Sequence, residues 1–285
     1  MLIYWLISLM PAIGWGLMPI ISKKVGGTPR QQLFGSTVIA LLISLVLELT
    51  YKIDYHYFDF LIAMLSGAFW AIGQLLLFAA LQRVNVSKVI PISNGSQLIF
   101  TTLFSGFFLG EWSTIYDALI SLLMLVIMIL AIICLTRQDP LNRHESVLPI
   151  STVVLILFSS LFITAYVSVG SVFGISGLRI LFPQSLGMFL TALLIVTTEK
   201  KSSLFDKHIL KNFITGISWA LANVALFYSS AKIGVGLSFS ISQMCIFISV
   251  LGGIVFLHER KTKKEITKIT IGMLLFLFAI LILSI

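Results

Sequence analysis

Ten long apolar runs constrain this chain more than any other feature of its sequence. A helix needs about 20 apolar residues to cross the hydrocarbon core of a bilayer, because each residue advances it by about 1.5 Å. Only 11% of the 285 residues are charged, whereas a soluble domain carries about 25%. The sequence therefore predicts an all-α polytopic membrane protein with ten transmembrane helices, at approximately 3–22, 31–50, 58–82, 88–109, 114–136, 148–170, 178–197, 210–231, 235–257 and 266–285.

The rare reactive side chains do not form a catalytic or metal-binding pattern. Cys134 and Cys245 both lie inside apolar runs, and the four histidines are scattered singly. The sequence has no zinc-ligand spacing, phosphate-binding loop or nucleophile elbow. We therefore expect no metal, no cofactor and no enzymatic activity.

The basic residues predict how the chain lies in the membrane. The odd-numbered loops contain three, two, two, four and five Lys and Arg residues, which is 16 of the 19 in the chain. The positive-inside rule places these loops in the cytoplasm and both termini outside. Orientation also explains the net charge of +8 better than a nucleic-acid partner does. The first run lacks a basic region and a cleavage site, so we interpret it as a membrane helix and not a signal peptide.

The two halves of the chain resemble each other. The longest polar break, Thr136 to Pro149, predicts an N-terminal five-helix repeat (1–136), a cytoplasmic linker (137–149) and a C-terminal five-helix repeat (150–285). "GAFWAIGQLLLFAAL" from Gly67 matches "GISWALANVALFYSS" from Gly216, and "QLFG" (32–35) matches "QSLG" (184–187). Five is odd, so the second repeat enters the membrane inverted. Inverted repeats are typical of secondary transporters, whose substrate sites lie near the midplane.

Polar residues within the spans predict the ligand. They are amides, hydroxyls and tryptophans, and no acidic or basic residue lies at mid-helix. A hydroxyl that leaves water needs a partner, an amide both donates and accepts, and an indole covers C–H surface. A neutral polyol fits this chemistry, although a single Ser or Thr serves equally well as a contact between helices. The candidate substrate-binding residues are Trp15, Trp70, Gln74, Ser93, Gln97, Gln184, Trp219, Asn223, Ser242 and Gln243.

Three further features carry weaker predictions. Glu48, near the end of the second helix, is the candidate for proton coupling. "GFFLG" (106–110) is a GxxxG pattern that allows close helix packing, within one chain or between two, so monomer and homodimer both remain open. "ERKTKKE" (259–265) is interpreted as a solvated basic loop that faces anionic lipid.

Several segments resemble one transporter family. They are "PAIGWGLMPIISKKVGG", "SGAFWAIGQLLLFAAL", "VSKVIPISNGSQL", "FLGEW" and "FSISQMCIFISVLGGIVFLHERK". In this order, over nearly the whole chain, they resemble the bacterial glucose/ribose porter family of the drug/metabolite transporter superfamily. The resemblance implies two inverted five-helix repeats in the bacterial cytoplasmic membrane and proton-coupled uptake of a monosaccharide.

The family's motifs transfer to particular positions of this chain. Its Trp-Gly matches Trp15 and Gly16, its Trp-x-x-Gly-Gln matches Trp70, Gly73 and Gln74, and its Pro-x-Ser and Gln match Pro91, Ser93 and Gln97. Its later Trp, Asn and Ser-Gln match Trp219, Asn223, Ser242 and Gln243. There are two departures: Ala79 stands where family members carry a lysine, and "LHER" replaces "LGER". The missing lysine bears on coupling and on which sugar is carried.

Three functions remain as alternatives at this point. The leading one is import of glucose or ribose by alternating access of the two halves. The second is export of a drug or a small neutral metabolite; an exporter of lipophilic cations requires an acid in the cavity, such as Glu48 or Glu111. The third is a non-transporting membrane scaffold, which predicts a packed midplane without a polar cavity.

Overall fold

The structure, a computed structural model, describes residues 2–140, 142, 148–175, 177–198, 206–233, 238 and 241–283. These residues form helices and connecting segments, and no β-strand occurs among them. A 3-10 turn, Gly177–Ile180, leads into α7, and the short α8 leads directly into α9. The helices are α1 (Leu2–Val25), α2 (Pro29–Tyr51), α3 (Tyr57–Arg83), α4 (Val86–Phe108), α5 (Ile115–Thr136), α6 (Ile150–Phe173), α7 (Leu181–Thr197), α8 (Lys207–Lys211), α9 (Phe213–Ile233), α10 (Cys245–Phe256) and α11 (Lys263–Leu283).

The prediction of a polytopic helical membrane protein is confirmed. Eight of the described segments are long and apolar enough to cross a bilayer. The other two predicted spans correspond to α4 and α10. The 23-residue α4 is long enough but carries many hydroxyl and amide side chains, and α10 has only 12 described helical residues. Outside the described residues lie five residues of the ninth predicted span, at 235–237 and 239–240, and six residues of the linker, at 141 and 143–147.

Short polar signals fix where helices begin. Thr28 precedes Pro29, accepts a hydrogen bond from the Gln31 backbone N–H, and donates its own N–H to the Gln31 side chain. Thr114 and Asp117 form the same reciprocal capping box at the start of α5. Such boxes satisfy backbone N–H groups that have no partner inside the helix.

The helices pack in a pattern that mixes the two halves of the chain. α1 lies against α9 and α10, while α3 lies against α6 and α7. α2 also packs on α7 and α9, and α5 packs on α11. α4 contacts α5, α6 and α10. The main hydrophobic core is therefore shared by both halves, because nearly every large contact joins a helix before residue 136 to one after residue 150.

Glycines bring the backbones of two helix pairs into direct contact. A Cβ on Gly67 of α3 would lie 2.0 Å from the Gln184 carbonyl oxygen of α7, and one on Gly187 would lie 2.0 Å from the Met64 carbonyl oxygen. α2 and the α8–α9 segment repeat this crossing, with Gly216 against Ser36 and Gly35 against Ile209. Small residues allow this approach, which supplies the packing energy of helices in lipid.

Hydrogen bonds join several connecting segments at the end of the bundle where α1, α3 and α5 finish, here called the basic end. Asn212 donates to the Gly26 carbonyl, and Gln82 donates to the Gly27 carbonyl. Asn142 donates to the Arg260 carbonyl. At the opposite end, where α2, α4 and α6 finish, the Phe58 and Phe173 rings meet edge to face. The segments rich in Lys and Arg therefore share one end, as the sequence predicts.

We expect Gly187→Val to destabilise the bundle, because its side chain would overlap the α3 backbone. Overpacking costs about 1–3 kcal/mol, so the melting temperature in detergent should fall by about 2–10 °C. Leu194→Val on the same helix is the control, since Leu194 is 70% exposed. Equal melting temperatures for the two variants would contradict a tight α3–α7 crossing.

Candidate functional site

A cavity of about 130 Å³ lies in the middle of the bundle, between α1, α3, α4, α6 and α9. Trp70 and Gln97, which line it, are the central residues of α3 and α4. Trp15 and Trp219 also lie near the middle of their spans, Leu6–Val25 and Lys207–Ser230. Since helices that cross a bilayer place their central residues near its midplane, the cavity lies at mid-membrane depth.

Three tryptophans form the aromatic part of the cavity wall. Trp15 comes from α1, Trp70 from α3 and Trp219 from α9. The rings of Trp70 and Trp219 meet edge to face with centroids 5.3 Å apart, a favoured geometry for aromatic pairs. The sequence places these two residues at matching positions of the two halves, and the structure brings them into contact.

Amide side chains supply most of the polar part of the wall. Gln74 lies one turn after Trp70 and is 5% exposed. Gln97 lines the cavity and donates a hydrogen bond to the Ser93 hydroxyl at 3.0 Å. Asn94 donates to the Cys245 sulfur at 3.1 Å, which links α4 to α10. None of the described residues that line this cavity is acidic, basic or a histidine.

Gln243 reaches the cavity from a break in the ninth predicted span. Residues 243 and 244 form a turn between helical residues 241–242 and α10. The backbone tightens there, since the Met244 N–H donates to the Ile241 carbonyl and the Ile246 N–H donates to the Gln243 carbonyl. Non-helical backbone at this depth is tolerated where it lines a cavity, and discontinuous helices of this kind occur at transporter binding sites.

Six of the ten predicted substrate-binding residues line the central cavity: Trp15, Trp70, Gln74, Gln97, Trp219 and Gln243. Ser93 lies just behind them and accepts the Gln97 hydrogen bond. Ser242 is fully buried next to Gln243 but is not part of the cavity wall.

The remaining predictions lie at contacts between or within helices. Gln184 donates to the Ser66 hydroxyl at 2.8 Å, across the α3–α7 crossing. Asn223 donates to the Trp219 carbonyl of its own helix at 2.8 Å. Glu48 accepts a hydrogen bond from the Tyr55 hydroxyl at the opposite end, away from the cavity. Burial first, and then the hydrogen bond with Glu48 and its charge, raise the pKa of Tyr55 above its usual range, so that the phenol remains a donor.

α6 contributes wall residues that the sequence reasoning did not select. Tyr166 lines the cavity, as does Thr164, whose hydroxyl lies 3.4 Å from the Gln97 carbonyl oxygen. Asn94 and Thr101 of α4 line it too. A polar stripe on α4 at positions 94, 97 and 101 has helical spacing and was available as a signal. Neither Tyr166 nor Thr164 has a residue of its own type at the equivalent position of the first half, where Leu17 and Trp15 stand. Ala79, where the resembling family has lysine, lines neither this cavity nor the one next to it.

A second cavity continues from the central one toward the opposite end. It has a volume of about 190 Å³ and shares Leu98, Thr101, Val167 and Gln243 with the central cavity. Glu111, which follows α4, lies at its far end. We call this space the outer cavity. Hydroxyl groups line much of it, from Thr101, Thr102, Ser105, Ser168 and Ser171.

Comparison with known proteins agrees with this architecture. Residues 6–285 match the family described as Sugar transport protein. The chain belongs to this family. It is 38% identical to the glucose uptake protein GlcU of Staphylococcus xylosus, over 96% of this chain and 95% of that one. It is 36% identical to GlcU of Bacillus subtilis, over 98% and 97% of the two chains.

Another protein, known from a crystal structure, has the same fold as this chain. The two match with a TM-score of 0.65 over 97% of this chain and 94% of that chain. Because only 14% of their residues are identical, the match concerns the fold alone.

We expect water to reach the outer cavity. In a chain whose two cysteines, Cys134 and Cys245, are replaced by serine, Ser105→Cys should react readily with a hydrophilic maleimide in detergent. Ser159→Cys, fully buried where α6 contacts α3, should react far more slowly. Thiol labelling followed by mass spectrometry measures both rates. Similar slow rates at the two positions would contradict an open outer cavity.

Proposed function

We propose that this protein imports a monosaccharide across the bacterial cytoplasmic membrane. The observation that carries the proposal is the uncharged mid-membrane cavity with three tryptophans and four amides, in a chain of the sugar transport family. Indole faces cover the C–H surfaces of a sugar, and amides pair with its hydroxyls. The relatives named as glucose uptake proteins favour glucose over ribose as the first substrate to test.

The packing supports two inverted five-helix repeats, with boundaries at 1–136 and 150–285. In a two-fold repeat, α1, α2, α3, α4 and α5 correspond to α6, α7, α9, α10 and α11. The α3–α6 contact then corresponds to the α9–α1 contact, and both are present. In the same way, α4–α6 corresponds to α10–α1 and α3–α7 to α9–α2, and each of these contacts is also present. The two glycine crossings are related in the same way. A five-span unit that repeats reverses its direction across the membrane, which gives the two-fold relation common in secondary transporters.

The two ends of the central cavity differ in a way that supports alternating access. Toward the opposite end it continues into the outer cavity. Toward the basic end hydrogen bonds hold the helix ends together. Lys23, in the last turn of α1, donates to the Val84 carbonyl after α3, and Glu259 after α10 accepts from the Val86 N–H. With the basic end in the cytoplasm, as the positive-inside rule predicts, this conformation is outward-facing and both termini lie outside.

Uptake of labelled glucose and ribose into proteoliposomes tests the proposal. We expect saturable uptake of at least one of the two sugars. Uptake that equals the rate in protein-free liposomes, for every monosaccharide tried, would overturn the proposed function.

We expect Gln74→Ala to raise the Michaelis constant for the sugar about 3- to 10-fold, because it removes one or two neutral hydrogen bonds. Leu65→Ala is the matched control, since Leu65 is 50% exposed on the same helix and lines neither cavity. Initial uptake rates over a range of sugar concentrations give both constants. Equal constants for the two variants would remove Gln74 from the sugar site.

Proton coupling through Glu48 is a separate part of the proposal. An inward proton gradient should accelerate uptake by the unmodified protein but not by Glu48→Gln, whose side chain cannot exchange a proton. Sugar exchange without a gradient should persist in the variant. A gradient effect of the same size in both proteins would exclude Glu48 from coupling, and no effect in either would indicate facilitated diffusion.

Export is the second candidate function, and one specific observation favours it. Glu111 lines the outer cavity, where a carboxylate attracts a cation. Transport into inside-out membrane vesicles that contain the protein distinguishes export from sugar import. Accumulation of a lipophilic cation that Glu111→Gln abolishes would indicate an exporter, while sugar transport that the variant retains would indicate a sugar carrier. The scaffold alternative is disfavoured, since the midplane contains a polar cavity.

A further inference from the structure

A buried carboxylate joins the second half of the chain to the first at the basic end. Glu259 follows α10, and its side chain accepts hydrogen bonds from the backbone N–H groups of Val86 at 2.7 Å and Ser87 at 3.2 Å. These are the first two residues of α4, whose N–H groups have no partner within the helix. The negative charge also opposes the positive end of the α4 dipole. Glu259 therefore caps a helix that lies 172 residues away in the sequence.

A second charged group connects α1 and α3 to the same point. Lys23, in the last turn of α1, donates to the Val84 carbonyl at the end of α3 at 2.7 Å. The Lys23 ammonium and the Glu259 carboxylate attract each other. We call Lys23, Val84, Val86, Ser87 and Glu259 the inner lock. It ties the ends of four helices together.

The backbone after α10 holds Glu259 in this position. The N–H groups of Leu257 and Glu259 both donate to the Gly253 carbonyl. His258, between them, has a φ of +54°, a left-handed conformation that a non-glycine residue adopts only when its surroundings require it. A Cβ on Gly253 would lie 2.9 Å from a Glu259 carboxylate oxygen, so glycine leaves the room in which the carboxylate lies.

The inner lock lies between the central cavity and the basic end. Ile90, one helical turn or about 6 Å along α4 from Val86, already lines the central cavity. In the other direction the cavity continues into the outer cavity. Water can replace both hydrogen bonds of the carboxylate when the helix ends separate, so the lock is breakable. We propose that Glu259 is a gating residue, whose carboxylate must leave the α4 N-terminus before the cavity opens at the basic end.

This inference rests on alternating access as part of the proposed function, and a labelling experiment tests it without sugar. The reporter is Ser87→Cys in the chain with Cys134 and Cys245 replaced by serine. Ser87 is fully buried and its hydroxyl makes no hydrogen bond among the described residues, so the change removes no hydrogen bond. Glu259→Gln should increase its reaction rate with maleimide about tenfold or more, because it removes a charge-assisted interaction.

Asp206→Asn is the matched control. Asp206 is also a carboxylate at a helix start at the basic end, but it accepts its hydrogen bond from His208 of the adjoining α8. It should leave the Ser87→Cys rate unchanged. A second reporter, Ser159→Cys, detects general loosening because it is buried at the α3–α6 contact. It should react equally slowly with and without Glu259→Gln.

Val86→Pro provides an independent variant that leaves Glu259 intact. Val86 and Ser87 each donate one N–H to Glu259, and the proline removes the first of these donors. Val86 is the first residue of α4, a position where proline is tolerated. Asn85 precedes it with an extended backbone that suits proline. This variant should also increase the Ser87→Cys rate, by a smaller factor. It keeps the test decisive if Glu259→Gln does not fold.

Two results would overturn the gating role. One is an unchanged Ser87→Cys rate in folded Glu259→Gln or Val86→Pro protein. The other is equal acceleration at Ser87→Cys and Ser159→Cys, which would indicate that Glu259 stabilises the whole bundle. Lack of sugar uptake by the unmodified chain would instead overturn the proposed function and leave the labelling result standing.

Discussion

Direct contact between helix backbones is the interaction on which the rest of this structure depends. Helices in lipid gain little from the hydrophobic effect when they associate, so packing and hydrogen bonds between helices must hold them. Glycines let α3 cross α7, and α2 cross the α8–α9 segment, with almost no space between them. Serine hydroxyls add bonds to backbone carbonyls, from Ser159 to Gly73 and from Ser218 to Gly14. These contacts leave the large side chains free to shape the space between the helix pairs.

The central cavity lies where this close packing gives way to tryptophans and amides. Wide indole rings from α1, α3 and α9 hold the helices apart, and the Trp70–Trp219 contact joins the two halves across the bundle. The break at Gln243 and the polar stripe of α4 place hydrogen-bonding groups at the same depth. A polar group inside a membrane is costly without a partner, so the concentration of such groups at one place supports the proposal of a site for a polar ligand.

The two ends of the bundle differ in their polar contacts. The basic end contains buried acidic side chains that accept hydrogen bonds from distant segments. Glu259 accepts from backbone N–H groups of α4, and Glu265 accepts from the Asp139 backbone N–H and the Asn142 side-chain amide. The prediction that "ERKTKKE" is solvated holds for Lys263 and Lys264, which are exposed, although they lie in the first turn of α11 and not in a loop. It is wrong for its two acids, which are 8% and 2% exposed. An acid that caps a distant helix looks in sequence like any loop acid, because its partners are backbone N–H groups that no residue type identifies.

The class of fold follows from the sequence alone, because the length and apolarity of each run are local properties that can be compared with the thickness of the bilayer. The sequence also indicated the matched Trp70 and Trp219, since the repeat places them in equivalent positions. Tertiary structure alone decided which polar residues face the cavity. In the sequence Gln184 and Asn223 are amides within apolar spans, as Gln74 is. In the structure only Gln74 lines the cavity, while Gln184 donates a hydrogen bond to Ser66 and Asn223 donates one to the Trp219 carbonyl. Tyr166 enters the wall without a repeat partner. Which side of a helix meets a neighbour depends on crossing points such as Gly67 and Gly187, and these are set by contacts between residues far apart in the chain.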